Sequence, residues 1–309
     1  MKAIYLEKKT GHKSIILGDI PQPYPREGEA LIKVHATGIM PTEFRWFPTF
    51  NTPEGKPRRF PIVLSHEFSG TIEALGAGVT GFEVDDPVFG LNDWFTNGAE
   101  AEYCVAPATA LAQKPKSLDY IHAAVTPISA LTAWQGLFER LKLERGQRLL
   151  IHGGAGAVGT FAVQLAHWHG AHVIATASSA NLDFVHSLGA DEVIDYHQTP
   201  FENVVRDISA VFDVVGGDTL QRSWNVLKTG GKLVTVATQS EGATDQRTRD
   251  AFMLVRADGS QLAEIVKLID AGELRVFVAG VFPLAEAREA YDRAQEGKLR
   301  GKIALRVAE

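Results

Sequence analysis

Short alternating segments fill the first part of the chain, up to about residue 125. Apolar and polar residues alternate within each segment, and glycine or proline interrupts the pattern between segments. The clearest examples are EALIKVHATGI, EFSGTIEALG, DPVFGL and AEYCVAP. Alternation with a period of two, broken by turn residues, is typical of half-buried strands. The pattern predicts a β-rich unit with no long amphipathic helix before residue 119.

A different pattern extends from about residue 120 to residue 270. Near-continuous apolar runs such as RLLIH, HVIATA and AVFDVV alternate with segments of helical period such as VGTFAVQLAHWHG. Apolar strands separated by helices indicate a parallel sheet covered on both faces, so the predicted fold class is α/β. Gly170, Gly189 and Gly272 mark predicted helix ends. The last segment predicts a helix and then a strand, and we expect that strand to return to the first unit.

Composition places the chain among ordinary globular proteins. Of its 309 residues, 45% are hydrophobic and 22% are charged, and the length suggests about two domains. The formal net charge is −6, from 31 basic and 37 acidic residues, which argues against a nucleic-acid partner. The basic loop KPRR at 56–59 is expected to be solvated.

The single cysteine and the lack of long apolar runs exclude several classes of site and segment. Cys104 excludes an internal disulfide and a cysteine-rich zinc site, and its alternating context predicts a buried apolar role. No apolar run reaches the roughly 18 residues of a membrane span. No signal peptide is evident, so we expect a cytoplasmic protein without a membrane partner.

The strongest motif is the glycine-rich turn in IHGGAGAVGTFAVQLA. Gly154, Gly156 and Gly159 match G-x-G-x-x-G, and Ala157 and Val158 lie between the last two glycines. The motif follows a predicted strand and precedes a predicted helix, which is the context of a dinucleotide site. Glycines there let the backbone approach a pyrophosphate, and the helix N-terminus offers unpaired N–H groups to it. The alternative is a turn that only packs the helix on the strand.

The end of the second predicted strand indicates which dinucleotide binds. NAD sites usually carry Asp or Glu about 20 residues after the glycines, bonded to the ribose 2′-hydroxyl. The corresponding stretch ATASS at 175–179 contains no carboxylate, and the hydroxyls of Ser178 and Ser179 can donate to a 2′-phosphate. We therefore predict NADPH, with NADH as the less favoured cofactor. The stretch contains no Arg or Lys, so the counter-charge of the phosphate must come from elsewhere.

Together with several further segments, these motifs resemble the medium-chain dehydrogenase/reductase superfamily, specifically its zinc-independent quinone oxidoreductase-like branch. The similar segments are MKAI, VLSHEFSGTIEALGAGVTGFEVDDPVFGL, ISALTAWQGL, LGADEVIDY, DVVGG and RGKIALRV. The resemblance covers nearly the whole chain. It implies a GroES-like substrate domain of residues 1–125 and 273–309, a Rossmann domain of residues 126–272, and an active site in the cleft between them.

The resemblance also implies cofactor contacts beyond the glycine turn. Ser178 matches a frequent 2′-phosphate contact, and Asn181 stands where many NADP-dependent relatives carry Lys. Tyr196 matches a tyrosine that flanks the adenosine phosphate, and its alternative role is that of an ordinary strand-end aromatic residue. The remaining implied contacts lie beside the nicotinamide, its phosphates or the cofactor loops: Ser129, Thr132, Gly216, Val236, Ala237, Phe252 and Val255.

The segment LSHEFSG raises the question of a zinc site. Zinc enzymes of this superfamily use a Cys, the His of G-H-E and a third ligand, and a catalytic zinc needs three protein ligands. Met40 stands where the Cys would be, and Thr126 and Pro127 lie where the third ligand would fall. A thioether is a poor zinc ligand compared with a thiolate. Only His66 and Glu67 remain of the zinc motif, so we predict no bound metal.

His66 and Thr42 are the candidate catalytic residues. An imidazole can donate a proton near a substrate carbonyl at neutral pH, and the alternative is a histidine retained for packing. Thr42 can donate to the substrate oxygen that gains charge. Aromatic residues that suit a flat substrate also lie in the first unit, although any of them can equally fill its core: Phe44, Trp46, Phe47, Phe50, Trp94 and Phe95.

The predicted reaction is hydride transfer from NADPH to a quinone or an α,β-unsaturated carbonyl compound. Two other classes stay open, a zinc-dependent alcohol dehydrogenase and a non-catalytic NADPH-binding redox sensor. Metal analysis tests the first of these and turnover assays test the second. The resemblance implies a homodimer, with a monomer as the alternative.

Overall fold

The computed structural model describes residues 1–9, 11–297 and 299–308. The chain divides into two compact units. Unit 1 comprises Met1–Ile128, Ala257–Gly272 and Val276–Glu309, and unit 2 comprises Ser129–Arg256 and Glu273–Arg275. This grouping differs from the boundaries that the resemblance implied, because residues 257–272 group with the β-rich part of the chain. The single Rossmann domain of residues 126–272 stays a prediction.

The elements follow the two patterns of the sequence. The first part of unit 1 contains β1 Lys2–Leu6, β2 Ile16–Asp19, β3 Glu29–Gly38, α1 Phe47–Phe50, β4 Ile62–Val63, β5 Glu67–Leu75, β6 Pro87–Leu91, β7 Tyr103–Pro107, β8 Leu111–Gln113 and α2 Tyr120–Ala124. The next elements are α3 Pro127–Trp134, a π-helical segment Gln135–Arg140, β9 Arg148–His152, α4 Ala157–His169, β10 His172–Ala177, α5 Leu182–His186, β11 Glu192–Asp195, β12 Ile208–Asp213, α6 Gly217–Ser223, β13 Leu227–Thr235 and α7 Gln246–Ala251. The last elements are α8 Gly259–Asp270, β14 Val278–Pro283, α9 Ala287–Gln295 and β15 Lys302–Arg306.

Unit 1 contains two sheets. A three-stranded sheet has the order β2-β1-β4, and a larger sheet has the order β14-β15-β3-β5-β6-β8, with β7 also paired to β3. The last strand pairs antiparallel with β3, with Ala304 opposite Gly38, which confirms that the end of the chain returns to the first unit. One core cluster consequently combines apolar side chains from both chain ends: Ile4, Leu6, Ile39, Ile62, Leu64, Leu284, Tyr291, Ile303 and Leu305.

Unit 2 contains a five-stranded parallel sheet of order β11-β10-β9-β12-β13. The three central strands, β10, β9 and β12, are buried over most of their length, as near-continuous apolar runs require when helices cover both faces. Gly170, Gly189 and Gly272, the predicted helix ends, follow α4, α5 and α8 with φ of 86°, 103° and 79°. Each burial of a large aliphatic side chain stabilises the folded chain by roughly 1.5–3 kcal/mol.

Two local expectations have different outcomes. Cys104 is 2% exposed on β7, and burial raises the pKa of its thiol well above the ordinary value, which confirms the apolar role. The loop at 56–59 is exposed at Lys56, Pro57 and Arg59, as expected, whereas the guanidinium of Arg58 is partly buried and donates to the carbonyls of Thr96 at 2.7 Å and Pro48 at 3.2 Å. Within the described part of the chain, no helix combines the length and apolar character of a membrane span.

A carboxyl group lies at the centre of unit 1. Glu100 is fully buried, and its Oε1 accepts a hydrogen bond of 2.6 Å from the hydroxyl of Tyr291 on α9. Burial raises the pKa of Glu100 to about 8; the bond from Tyr291 opposes this rise, and the charge of Glu43 adds to it. Glu100 therefore carries a proton most of the time at neutral pH.

Replacing Glu100 by Gln should make stability less dependent on pH. A carboxyl whose pKa is raised on folding stabilises fully below its unfolded value of 4.5, and the contribution is lost as the pH rises through about 8. Over that range the urea midpoint of the wild type should fall more than that of Glu100→Gln, which keeps an acceptor for Tyr291. Urea unfolding followed by tryptophan fluorescence tests this, with Glu73→Gln, exposed on β5, as the control. Parallel profiles for wild type and Glu100→Gln would contradict the prediction.

Candidate cofactor and catalytic sites

The glycine-rich turn connects β9 to α4, which confirms the predicted strand, turn and helix. Gly153 adopts a φ of 77°, a conformation that residues with side chains rarely adopt. A Cβ on Gly159 would lie 2.1 Å from the carbonyl oxygen of Gly153, so only glycine lets the helix pack this closely on the turn. A Cβ on Gly156 would meet nothing closer than that same oxygen at 3.5 Å. The turn therefore leaves space for a ligand beside Gly156 and none beside Gly159.

The first turn of α4 provides hydrogen-bond donors at this open side. Gly156 is the N-cap residue, and the N–H of Thr160 donates to its carbonyl at 3.0 Å. The N–H groups of Ala157, Val158 and Gly159 precede that bond and have no acceptor within the helix. A helix terminus with free donors and no side chain in front of it fits a pyrophosphate.

Asp213 organises the loop after β12. Its carboxylate is fully buried and accepts hydrogen bonds from the N–H of Gly216 at 3.0 Å and the hydroxyl of Thr235 at 2.7 Å. Its carbonyl accepts from the N–H of Val236 at 3.0 Å. The predicted contact residues Gly216, Val236 and Ala237 are thereby brought together at the ends of β12 and β13. The sequence analysis missed Asp213 itself, although the motif DVVGG contained the signal.

His152, which the sequence analysis also missed, ends β9. It is 1% exposed, with Nε2 2.9 Å from Oγ of Ser223 and Nδ1 3.2 Å from Oγ1 of Thr176. Burial lowers the pKa of His152 to about 4, against the opposing charge of Asp213, so the ring is neutral at neutral pH. Thr176 also accepts from the N–H of Gly153 at 3.2 Å. These bonds connect β9, β10 and the glycine turn.

The ends of β10 and β11 bring the predicted ribose contacts together. Nδ2 of Asn181 donates to Oγ of Ser178 at 3.1 Å, and the hydroxyl of Ser179 donates to Oδ2 of Asp195 at 2.5 Å. Tyr196 follows Asp195 and is 54% exposed. Asp195 belongs to the site by geometry, yet the sequence analysis missed it, because its partner Ser179 lies 16 residues away and is reached only through strand pairing.

The residues predicted beside the nicotinamide lie on α3 and after α7. Ser129 and Thr132 are buried on α3. Among the residues that the structure describes, Oγ of Ser129 has no hydrogen-bond partner, and a buried hydroxyl of this kind fits a site that a ligand completes. Phe252 and Val255 lie in an extended segment that is attached to β13 by a 3.0 Å bond from the N–H of Met253.

Both ring nitrogens of His66 face partners in unit 1, and the residue is 1% exposed. Nδ1 lies 2.7 Å from Oδ1 of Asn92, whose amide donates to the carbonyl of Asn97 at 3.1 Å. Because that bond orients the amide, the Asn92 oxygen accepts and Nδ1 of His66 carries a proton. Nε2 lies 3.2 Å from Oε1 of Glu43, whose other oxygen accepts from the N–H of Ser65 at 2.9 Å.

Glu67, the other residue of the zinc motif, is also engaged. It is fully buried, forms an ion pair with Nζ of Lys302, and accepts from the N–H of Ile128 at 2.8 Å. Burial raises the pKa of Glu67, and the Lys302 ammonium opposes this rise. Met40 is 8% exposed. Across residues 1–9, 11–297 and 299–308, no group of three or more His, Cys, Asp or Glu side chains is arranged to hold a metal.

Thr42 and the aromatic residues of unit 1 have separate environments. Thr42 is exposed on a 3₁₀ turn, Pro41–Arg45. The rings of Trp46 and Trp94 lie 5.0 Å apart, and that of Trp94 lies 5.0 Å from the ring of His66. The other predicted aromatic residues divide between core and surface: Phe50 is 6% exposed, Phe44 packs against Tyr291, Phe95 is partly buried and Phe47 is 46% exposed.

Comparisons with known proteins agree with this geometry. Two family models match, the alcohol dehydrogenase GroES-like domain over residues 26–116 and zinc-binding dehydrogenase over residues 188–305. A probable zinc-binding oxidoreductase, mitochondrial, from Arthroderma benhamiae is 31% identical over 93% of this chain and 91% of its own. The quinone oxidoreductase structure from Coxiella burnetii matches 100% of this chain and 99% of its own, with TM-score 0.90 and 32% identity. A mycobacterial protein solved with NADPH matches 99% and 100%, with TM-score 0.85 and 30% identity.

The fold and the glycine turn define a nicotinamide-dependent oxidoreductase. Unit 1 carries a GroES-like domain, and the parallel sheet of unit 2 is Rossmann-like. The chain belongs to the medium-chain dehydrogenase/reductase superfamily, in its quinone oxidoreductase-like branch.

Replacing Gly156 by Ala should weaken NADPH binding and leave unit 2 folded. The added Cβ meets no atom of the fold closer than 3.5 Å, but it occupies the side of the turn that a pyrophosphate approaches. We expect the Kd for NADPH, measured by calorimetry, to rise about tenfold, which corresponds to about 1.4 kcal/mol. Gly159→Ala is the matched control. Its Cβ would lie 2.1 Å from a backbone oxygen, so this variant should lower the melting temperature as well as the affinity. Unchanged affinity in a folded Gly156→Ala variant would refute this use of the turn.

Proposed function

We propose that the chain reduces quinones or α,β-unsaturated carbonyl compounds with NADPH and without zinc. The observation that carries this proposal is the set of contacts around His66, the histidine that zinc enzymes of the family use. Nδ1 lies 2.7 Å from Oδ1 of Asn92 and Nε2 lies 3.2 Å from Oε1 of Glu43, so each ring nitrogen faces an oxygen of unit 1. Met40 supplies no thiolate beside it, and three protein ligands are needed for a catalytic zinc.

The cofactor proposal rests on the turn and on the end of β10. NADPH, when bound, supplies a hydride from its nicotinamide to an electron-poor carbon. The first-turn N–H groups of α4 receive the pyrophosphate. Ser178 accepts from Asn181 and therefore keeps its own proton for the 2′-phosphate. The mycobacterial relative solved with NADPH supports this choice over NADH.

The acceptor proposal rests on Thr42 and on the aromatic pair beside His66. A hydroxyl that donates to an oxygen gaining negative charge lowers the barrier, and Thr42 is exposed and able to do so. Trp46 and Trp94 provide flat apolar surface of the kind that suits a quinone ring. Water supplies the final proton. The relative from Coxiella burnetii, a quinone oxidoreductase by its description, supports the substrate class. A cytoplasmic location and a homodimer stay predictions.

Turnover should not depend on zinc. We expect the purified chain, dialysed against EDTA, to oxidise NADPH with a panel of quinones and enones at the same rate as before, and to contain far less than one zinc per chain. Activity that EDTA removes and zinc restores would indicate the zinc-dependent alcohol dehydrogenase. Measurable NADPH binding with no turnover across the panel would indicate the redox sensor.

His66→Ala should lower turnover more than it changes cofactor affinity. The substitution removes the imidazole beside Trp94, which we propose as a polar anchor for the substrate carbonyl, whereas the residues that we assign to NADPH belong to unit 2. We expect kcat to fall at least about tenfold and the Kd for NADPH to stay unchanged. His122→Ala, at a partly exposed histidine of unit 1, is the control. If the variant yields less folded protein but keeps its specific activity, His66 has a packing role alone.

A further inference from the structure

A carboxylate stands beside the hydroxyls that we assign to the cofactor ribose. Asp195 ends β11 and is 9% exposed. Its Oδ2 accepts from the hydroxyl of Ser179 at 2.5 Å and from Nε2 of Gln198 at 2.9 Å, and its Oδ1 accepts from the N–H of His197 at 3.0 Å. The Ser179 bond, followed by the His197 N–H, lowers the pKa of Asp195, so it is ionised at neutral pH.

Among the described residues, few groups that can carry positive charge act on this carboxylate. The imidazole of His197 is one that lowers the pKa of Asp195, and its effect is the smallest of those present. Arg222, on α6, is engaged by Glu202 at 2.8 Å and by Asp218 at 3.1 Å. Related NADP-dependent chains often place a lysine at the position of residue 181, and an amide stands here instead.

The two serine hydroxyls therefore differ in what they can donate. Ser179 directs its proton to Asp195, whereas Ser178 accepts from Asn181 and retains its own proton. A 2′-phosphate at this edge would gain one hydroxyl donor and would face a carboxylate of the same charge sign. A free 2′-hydroxyl would meet no such repulsion, and it can donate to a carboxylate.

We propose that Asp195 is a cofactor-specificity residue that narrows the preference for NADPH over NADH, by holding Ser179 and by setting a negative charge beside the 2′-phosphate position. The inference rests on the proposed function, since it concerns the same dinucleotide site. It extends that function by predicting that the wild-type chain discriminates weakly between the two cofactors, and it names the side chain responsible.

The test measures binding of the two adenosine nucleotides that differ only at the 2′ position. Calorimetry with 2′,5′-ADP and 5′-AMP on the full chain separates the phosphate effect from catalysis. Asp195→Asn keeps an acceptor for Ser179 and removes the charge, so we expect 2′,5′-ADP to bind about tenfold more tightly and 5′-AMP to bind as before. Added salt should shrink the gain for 2′,5′-ADP, because salt screens the repulsion in the wild type. Asp191→Asn, which removes the same charge before β11 begins, should change neither affinity.

A second variant leaves Asp195 and its bonds to Ser179 and His197 in place. Gln198→Lys puts an ammonium where an amide now donates to Oδ2, and it should likewise tighten 2′,5′-ADP selectively. Equal affinity changes for both nucleotides, or none in either variant, would overturn the role of Asp195 and leave the reductase proposal intact. A wild-type chain that binds neither nucleotide would overturn both proposals.

Discussion

Parallel pairing in unit 2 is the constraint on which the cofactor site depends. The strands are in register at their carboxyl ends: residue 177 pairs with Asp195, Asp213 with His152, and Asp213 with Thr235. Because parallel strands all end at the same edge, residues from four chain segments become neighbours without any local sequence relation. The glycine turn, the loop after β12 and the residues predicted to contact the ribose therefore lie at one edge of the sheet. A shift in register would turn these side chains to the other face or away from the edge.

Two aspartates at that edge have different effects because their partners differ. Asp213 is fully buried and accepts from backbone N–H groups and the Thr235 hydroxyl, so it acts on the loop and not on a ligand. Asp195 accepts from one N–H and two side chains, and its negative charge acts on a ligand group that binds beside Ser179. The contrast shows that a carboxylate near a ligand site takes its role from the donors around it. Aspartate identity alone does not decide between structural and binding functions.

The buried acids of unit 1 follow a related rule. A buried carboxyl group needs a partner or a proton to offset the loss of its hydration. Here Oε1 of Glu43 lies 3.2 Å from Nε2 of His66, Glu67 pairs with the ammonium of Lys302, and Glu100 keeps its own proton beside Tyr291. The three carboxyl groups thus have different partners, and all three partners belong to unit 1.

Local patterns in the sequence predicted the parts of the fold and site that depend on neighbouring residues. The alternating strands, the glycine turn and the helix ends at Gly170 and Gly272 each follow from a short window, because period, φ and capping are local properties. Residue pairs that form only when distant segments of the chain come together could not be predicted from a short window. The bond from Ser179 to Asp195 spans 16 residues and the contact between His66 and Glu43 spans 23, and in both the partner affects what the predicted residue can do. The serine predicted to bind phosphate and the histidine predicted to act on the substrate each lie beside a carboxylate that the sequence pattern did not reveal. What each predicted residue can do therefore depends on its partner. The hydroxyl of Ser178, which retains its own proton, and the exposed hydroxyl of Thr42 are the groups that can donate to a ligand.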